Sequence, residues 1–409
     1  MTADVRKILA LTTSRADWGH LSSPLQHLMV QSQVHLSLVA MGSHLSPEFG
    51  MTVDQIESDG FKVDHRIECL LSSDSDVGMA KTIGVATLSI AELLDRERPD
   101  LLLLIADRYE MLAPAAAALA LRIPVAHIEG GEVSEGAIDH AVRQALTAIS
   151  HIHLVPTETA RRRVLQFGEE PWRVHTVGAP SIDHLHAGAS ARRSEVEEAL
   201  EVSLDPAPLV VAWHPVTLDE KLCHETDPLF EALEEVEGSI IFCFPNADAG
   251  SREIKDRVQQ FCDNRVDSHL FVNLRHQLYW GLLQHAAAIV GNSSSGIMEA
   301  PSLSLPCLNI GRRQQGRERS RCIVDVPAHK DAIIAGIEFV RGREFRETLT
   351  GMENPYGDGR AGQRIAEILA TIDLGPRLLE KRALPADRIP EPPCWPEDEF
   401  SNTPQSLPG

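Results

Sequence analysis

At 409 residues the chain exceeds what one hydrophobic core ordinarily fills, so two domains are expected. Its 38 basic and 59 acidic residues give a formal net charge of −21. That balance argues against a nucleic-acid or anionic-membrane partner, both of which need a basic surface, but leaves room for a small anion held by a local arginine cluster. Seven scattered cysteines (69, 223, 243, 262, 307, 322 and 394) form no CxxC pair, which reads as reduced core thiols and a cytoplasmic address. No signal peptide is read before the first strand, no apolar stretch is expected to reach membrane-spanning length, and no internal repeat is visible.

In chain order, residues 5–12 form an apolar strand, followed by Thr13-Ser14-Arg15-Ala16-Asp17-Trp18-Gly19. A helix is expected to begin near Ser22-Ser23-Pro24, because serine caps and an early proline mark helix starts. Arg15 would then sit in a strand-to-helix turn, where phosphates often lie. The dinucleotide pattern GxGxxG is absent. A strand over 34–40 and an amphipathic helix over 82–96 lead to the central stretch, residues 101–143. There LLLLIADRYEML runs from a buried-strand pattern abruptly into charge, a helix fills 111–121, and a strand beginning at Ile123 ends in His127, Glu129, Gly130, Gly131 and Glu132. A further helix starts near Ile138. Ligands of open α/β sheets collect at the carboxyl ends of strands, so Asp107, Arg108, His127, Glu129, Asp139 and Arg143 could line one cleft. Carboxylates, a histidine and arginines converging there suit proton abstraction beside a departing anion. The plainer alternative is that Asp107 and Arg108 cap the following helix and pair at the surface.

After a short strand at 152–156, a boundary is expected between Gly178 and Pro208, in a segment rich in small and turn-forming residues. The strand–helix alternation then restarts, with strands over 209–213, 239–244, 270–272, 287–290 and, last, 305–310. Two doubly wound parallel sheets face to face would enclose one interdomain cleft. GNSSSGIMEAP offers hydroxyls and a glycine at a helix start, suited to phosphate oxygens, with Glu299 in reach of a sugar hydroxyl. A serine-capped helix without a ligand would look the same. No GK[ST] follows, so it is not a P-loop, and no GxSxG elbow marks a serine hydrolase. Arg312, Arg313, Arg317 and Arg319 suit a diphosphate, as they would a solvated surface. His214 taken alone reads as a hydrogen-bonded turn residue. The pairs His151/His153 and His184/His186 lack a third metal ligand in sequence. From about Asp373 the chain turns polar and proline-rich, a composition that favours a loose tail.

Taken together, TTSRADWG, ADRYEML, AHIEGGEVSEGAIDHAVR, His214-Pro215, FPNADAGS, GNSSSGIMEAP, NIGRRQQGRE and NPYGDGRA, in this order from Thr12 to about Ala361, resemble the hydrolysing branch of the UDP-N-acetylglucosamine 2-epimerase family. The resemblance implies two Rossmann-like domains of glycosyltransferase-B type facing a central cleft. The first would span 1–180, with a C-terminal helix at about 362–380 crossing back to it. The second would span 181–361 and hold the nucleotide, and 381–409 would be a flexible tail. Arg15, Arg108, His214, Asn246, Ser293, Ser294, Glu299 and Arg313 fall on positions that contact the nucleotide and its phosphates. Asp107, Glu129, Asp139 and Arg143 fall on the acid/base region, and His214 is grouped with them as catalytic. Arg15-Ala16-Asp17 replaces the Arg-Pro-Glu of the non-hydrolysing bacterial branch. Gly19 stands where the animal members have serine, the 132–139 loop is a residue longer than theirs, and no sugar-kinase domain is expected to follow.

The implied reaction removes the C2 hydrogen while UDP leaves from C1. Water then adds to the glycal with inversion at C2, giving N-acetylmannosamine without a nicotinamide or a metal. Such an enzyme would feed sialic-acid-type synthesis in the cytoplasm as a homodimer or homotetramer. Two alternatives stand beside it: the same reaction on UDP- or GDP-linked N,N′-diacetylbacillosamine, leading to legionaminic acid, and a glycosyltransferase of the same architecture. A non-catalytic nucleotide-sugar sensor is a third reading.

Overall fold

A computed structural model describes residues 5–71, 75–134, 137–188, 190–214, 225–244, 251–272 and 274–382. The first parallel sheet holds β1 (Arg6–Thr12), β2 (Val34–Met41), β3 (His65–Ile67), β4 (Leu101–Ile105), β5 (Val125–Ile128), β6 (Ile152–Val155) and β7 (Val174–Thr176), in the order β3-β2-β1-β4-β5-β6-β7. The second holds β8 (Leu209–Ala212), β9 (Ile240–Phe244), β10 (Ser268–Val272), β11 (Ala288–Gly291), β12 (Cys307–Ile310) and β13 (Ile323–Val326), in the order β10-β9-β8-β11-β12-β13. β4 and β5 are buried along their whole length, as apolar strands covered on both faces by helices must be. In each sheet the winding direction reverses between two central strands, β1 and β4 in the first and β8 and β11 in the second. A crevice opens outside the carboxyl ends of the strands at such a reversal.

Three expectations need correction. The first helix starts at Arg15, seven residues before Ser22, and Pro24 lies inside it. Its start is fixed by a capping box: the Asp17 amide donates to Ser14 Oγ, and the Asp17 carboxylate accepts from the amides of Ser14 and Thr13. This network satisfies orphan donors that Ser22 and Ser23 could not reach. Next, β12 is not the last strand, because β13 pairs with it from Cys307↔Ile323 to Ile310↔Val326. Its short run IVDV follows an arginine-rich loop that masks the signal. Finally, helix Asp76–Glu97 is long and apolar enough, by length and composition, to cross a membrane. Here Ala86, Ile90, Leu93 and Leu94 of that helix are buried in the core of the first sheet.

The C-terminal helix Ala361–Thr371 returns to the first sheet, where Ile365, Ala366 and Leu369 join the core containing Trp18 and Leu25. Asp183 fixes its start by accepting from the amides of Ala361 and Gly362 at 2.9 and 2.6 Å, and it also accepts from Ser23 Oγ at 2.7 Å. Beyond the helix, Arg173 donates to the carbonyls of Arg377, Leu378 and Glu380. The segment through Glu380 is therefore strapped to the first sheet.

Candidate active site

The two reversals face each other. From the first sheet, the turn after β1 carries Ser14 and Arg15, the end of β4 carries Asp107, and the end of β5 carries Glu129. From the second, β8 leads through Trp213 to His214, and β11 runs into Asn292, Ser293 and Ser294. A cavity of about 110 Å³ between them is lined by Arg15, Gly19 and His20 on one side and by His214, Tyr279, Ser293, Ser294, Ser295 and Glu299 on the other. That is below the roughly 300–1,000 Å³ of ordinary ligand pockets. Hydrogen bonds hold the two sheets as they are. Arg15 donates to the Leu274 carbonyl, Arg163 to the Gly316 carbonyl at 2.7 Å, and Arg317 to the Val133 carbonyl at 2.8 Å.

The acidic side of the site rests on strained backbone. Ala106 (φ 57°) and Glu129 (φ 66°) are both left-handed, directly after β4 and β5. Non-glycine residues in this region cost about 1–3 kcal/mol each and cluster where geometry serves function. His127 Nε2 meets the Ala106 carbonyl at 2.7 Å, bracing one turn against the other. His127 is thus a buried support that burial holds near pKa 4, outside the cavity. Beyond it, Asp107 pairs with the buried Arg143 of helix Ile138–Ile149. Burial pushes the Asp107 carboxyl up, but Arg143, then Arg317, Arg313 and Arg108, bring it below the usual range. Glu129 pairs with His20 at 2.6 Å. Burial would raise Glu129 too, yet His20 and the more distant Arg143 and Arg317 hold it low. Two ionised carboxylates in a buried site are in the protonation state a general base requires.

The phosphate-like side is built by the short helix Ser294–Met298, capped by Ser293. Ser295 Oγ donates to Glu299 at 2.6 Å and accepts from Tyr279 OH at 3.0 Å, so Glu299 is fixed within its own turn. Arg313 and Gln314 both donate to the Asn292 carbonyl, at 3.1 and 2.8 Å. Gly291 keeps β11 close to β8, since a Cβ there would collide with the Ala212 carbonyl.

Of the expected site residues, Arg15, His214, Ser293, Ser294 and Glu299 line the cavity. Asp107, Glu129 and Arg143 cluster beside it, and Asp139 opens the Arg143 helix, where its charge reaches that arginine. Arg108 is buried against Glu110 at 3.2 Å and does not line the cavity. Asn246, like Pro215 and most of FPNADAGS, lies outside the described residues. Three of the four paired histidines have structural partners. His151 Nδ1 accepts from the Val125 amide, His153 meets Glu169, and His184 meets Ser22 and stacks on Trp280. Sequence reading missed His20, His276 and Tyr279, because a helix interior gives no local sign of which side chain reaches across a domain boundary.

Residues 26–370 match the model of the UDP-N-acetylglucosamine 2-epimerase family. The chain belongs to that family. Among its relatives, the GDP/UDP-N,N′-diacetylbacillosamine 2-epimerase (hydrolyzing) of Campylobacter jejuni is 35% identical, over 84% of this chain and 89% of that protein. The UDP-N,N′-diacetylbacillosamine 2-epimerase (hydrolyzing) of Legionella pneumophila is 34% identical, over 92% of this chain and 99% of its own. A UDP-N-acetylglucosamine 2-epimerase of Neisseria meningitidis serogroup B is 31% identical, over 89% and 95%. The solved structure of UDP-GlcNAc 2-epimerase from Neisseria meningitidis bound to UDP-GlcNAc shares the fold with a TM-score of 0.76 at 19% identity, over 89% of this chain and 99% of that one. This family member thus has the two-sheet, glycosyltransferase-B-like architecture of its structural neighbours.

Proposed function

We propose that this family member is a hydrolysing 2-epimerase of a nucleotide-linked 2-acetamido sugar. The observation that carries the reading is the presence of two buried, ionised carboxylates, Asp107 and Glu129, with Glu129 held by His20 of a cavity whose other wall is a serine-capped helix start. The hydrogen on C2 is weakly acidic, so its removal needs a positioned base while the C1–O bond breaks. One carboxylate takes that proton, the C–H electron pair becomes the C1=C2 bond, and the C1–O pair leaves with the diphosphate. Arg15, Arg313 and the amides at Ser293–Ser295 stabilise the growing charge. Water then adds its hydroxyl to C1 while C2 is protonated from the opposite face. Arg143 keeps Asp107 charged, and His214 faces the same cavity.

The expected substrate is UDP-N-acetylglucosamine. The diacetylbacillosamine nucleotides are a second candidate, favoured by the 35% and 34% identity to relatives named for them. Incubation with each nucleotide sugar, followed by proton NMR of the released sugar, tests both. A 2-epimeric free sugar with free nucleotide diphosphate from one of them is expected. Release with C2 unchanged, or only in the presence of an acceptor, would point to a glycosyltransferase. Tight binding without release would leave a sensor.

A further inference from the structure

We infer that His20 is the positioning residue of Glu129: its imidazolium clasps the carboxylate and keeps it ionised where the sugar C2 hydrogen arrives. The inference rests on the functional reading above, with Glu129 taken as the carboxylate that accepts the proton. His20 projects from the first helix and Glu129 from the turn after β5, yet Nδ1 and Oε1 lie 2.6 Å apart. Glu129 sits in a left-handed conformation that fixes its backbone but leaves its long side chain in need of an anchor. His20 also lines the cavity shared with Arg15, Ser293, Ser294 and Ser295, so the pair stands between the acidic and phosphate-like sides.

The charged and titratable groups around the ring are Arg15 and Asp17 of its own helix, Glu129, Glu299 at the end of the short serine helix, and His276 of helix His276–Gln284. Burial alone would strip the proton from an imidazole here. Glu129 opposes it first, then Glu299 and Asp17, and lifts His20 to about 9. Burial keeps His276 neutral, so it does not compete for that charge. When Glu129 takes the C2 proton the ion pair becomes a carboxyl beside an imidazolium, and that cation remains next to the departing diphosphate.

Histidine Cε1–H NMR titration tests the pair without turnover. With His20→Gln used for assignment, the His20 resonance is expected to titrate near pH 9 in the wild type. In Glu129→Gln it should fall to or below the ordinary 6.5. No resonance titrating above neutrality, or the same midpoint in Glu129→Gln, would overturn the assignment. In steady state, His20→Gln should lower kcat about tenfold to a hundredfold with little change in KM, and abolish the alkaline limb near pH 9. His20→Lys, which keeps a cation, should restore most of kcat and move that limb upward. Wild-type kcat in His20→Gln, or a rise in KM alone, would mark His20 as no more than a nucleotide contact and overturn the proposal. Failure of the wild type to release nucleotide from any sugar would instead sink the functional reading, with the NMR result standing apart from it.

Discussion

Asn292 exchanges two hydrogen bonds with the backbone of His214. Its Oδ1 accepts from the His214 amide at 2.7 Å, and its Nδ2 donates to the His214 carbonyl at 2.8 Å. This side chain ties together the ends of β8 and β11, the two strands that deliver the cavity's second wall. Asn292→Ala leaves a buried donor and acceptor without partners, at about 1–3 kcal/mol each. Urea denaturation should show a loss of roughly 2–6 kcal/mol. Calorimetry should show weaker UDP binding, because the Ser293 turn loses its anchor. A variant of wild-type stability would contradict this role.

Asp107 and Arg143 make the second relationship. Asp107→Asn removes a charge without changing shape, so sugar release should fall by about 10²–10⁴-fold with UDP still bound. Arg143→Met acts differently. It abandons a carboxylate that burial pushes toward its neutral form, so it should lower both kcat and stability, the latter by about 3–5 kcal/mol. Wild-type stability of Arg143→Met by thermal denaturation would show that the pair is not buried as described.

Gly19 is required by a neighbour rather than by its backbone. A Cβ built there would lie 2.7 Å from His276 Nε2, and His276 is itself stacked on Trp280 at 5.4 Å between centroids. Gly19→Ala should therefore cost about 1–3 kcal/mol by overpacking. Adding His276→Ala should recover much of that loss, a coupling that a double-mutant cycle reads directly. Additive effects would count against the contact.

His44 gives the stability its acid dependence. The ring is fully buried between Thr12 Oγ1 at 2.9 Å and Thr52 Oγ1 at 2.8 Å, and burial lowers its pKa to about 3. Neutral in the fold but ordinary when unfolded, it contributes stability fully present above pH 6.5 and lost as the pH falls toward 3. Each pH unit in that window should cost the wild type up to about 1.4 kcal/mol more than His44→Gln, measured by denaturation between pH 7 and pH 4. Parallel curves for the two proteins would count against it.

Much of this protein is written locally. Continuous apolar runs such as Leu101–Ile105, ending in charge, suit buried parallel strands, and their alternation with helices points to two doubly wound sheets. Because functional side chains collect where such strands end, Asp107 and Glu129 stand out as candidates from position, whereas Ser293 reads equally as a plain helix cap and His214 stands out only through the family resemblance. What tertiary structure decided is which of them meet, and through which partners. Ser14 and Asp17, not Ser22, set the first helix, because a reciprocal cap depends on geometry that several serines in sequence could each claim. Arg108, next to Asp107 in sequence, turns away to Glu110, since adjacent residues after a strand point in different directions. His20 reaches Glu129 across 109 positions of chain, and Arg143 reaches Asp107 across 36. Electrostatic pairing of this kind depends on distance in space, which local composition does not encode and only the packed sheets supply.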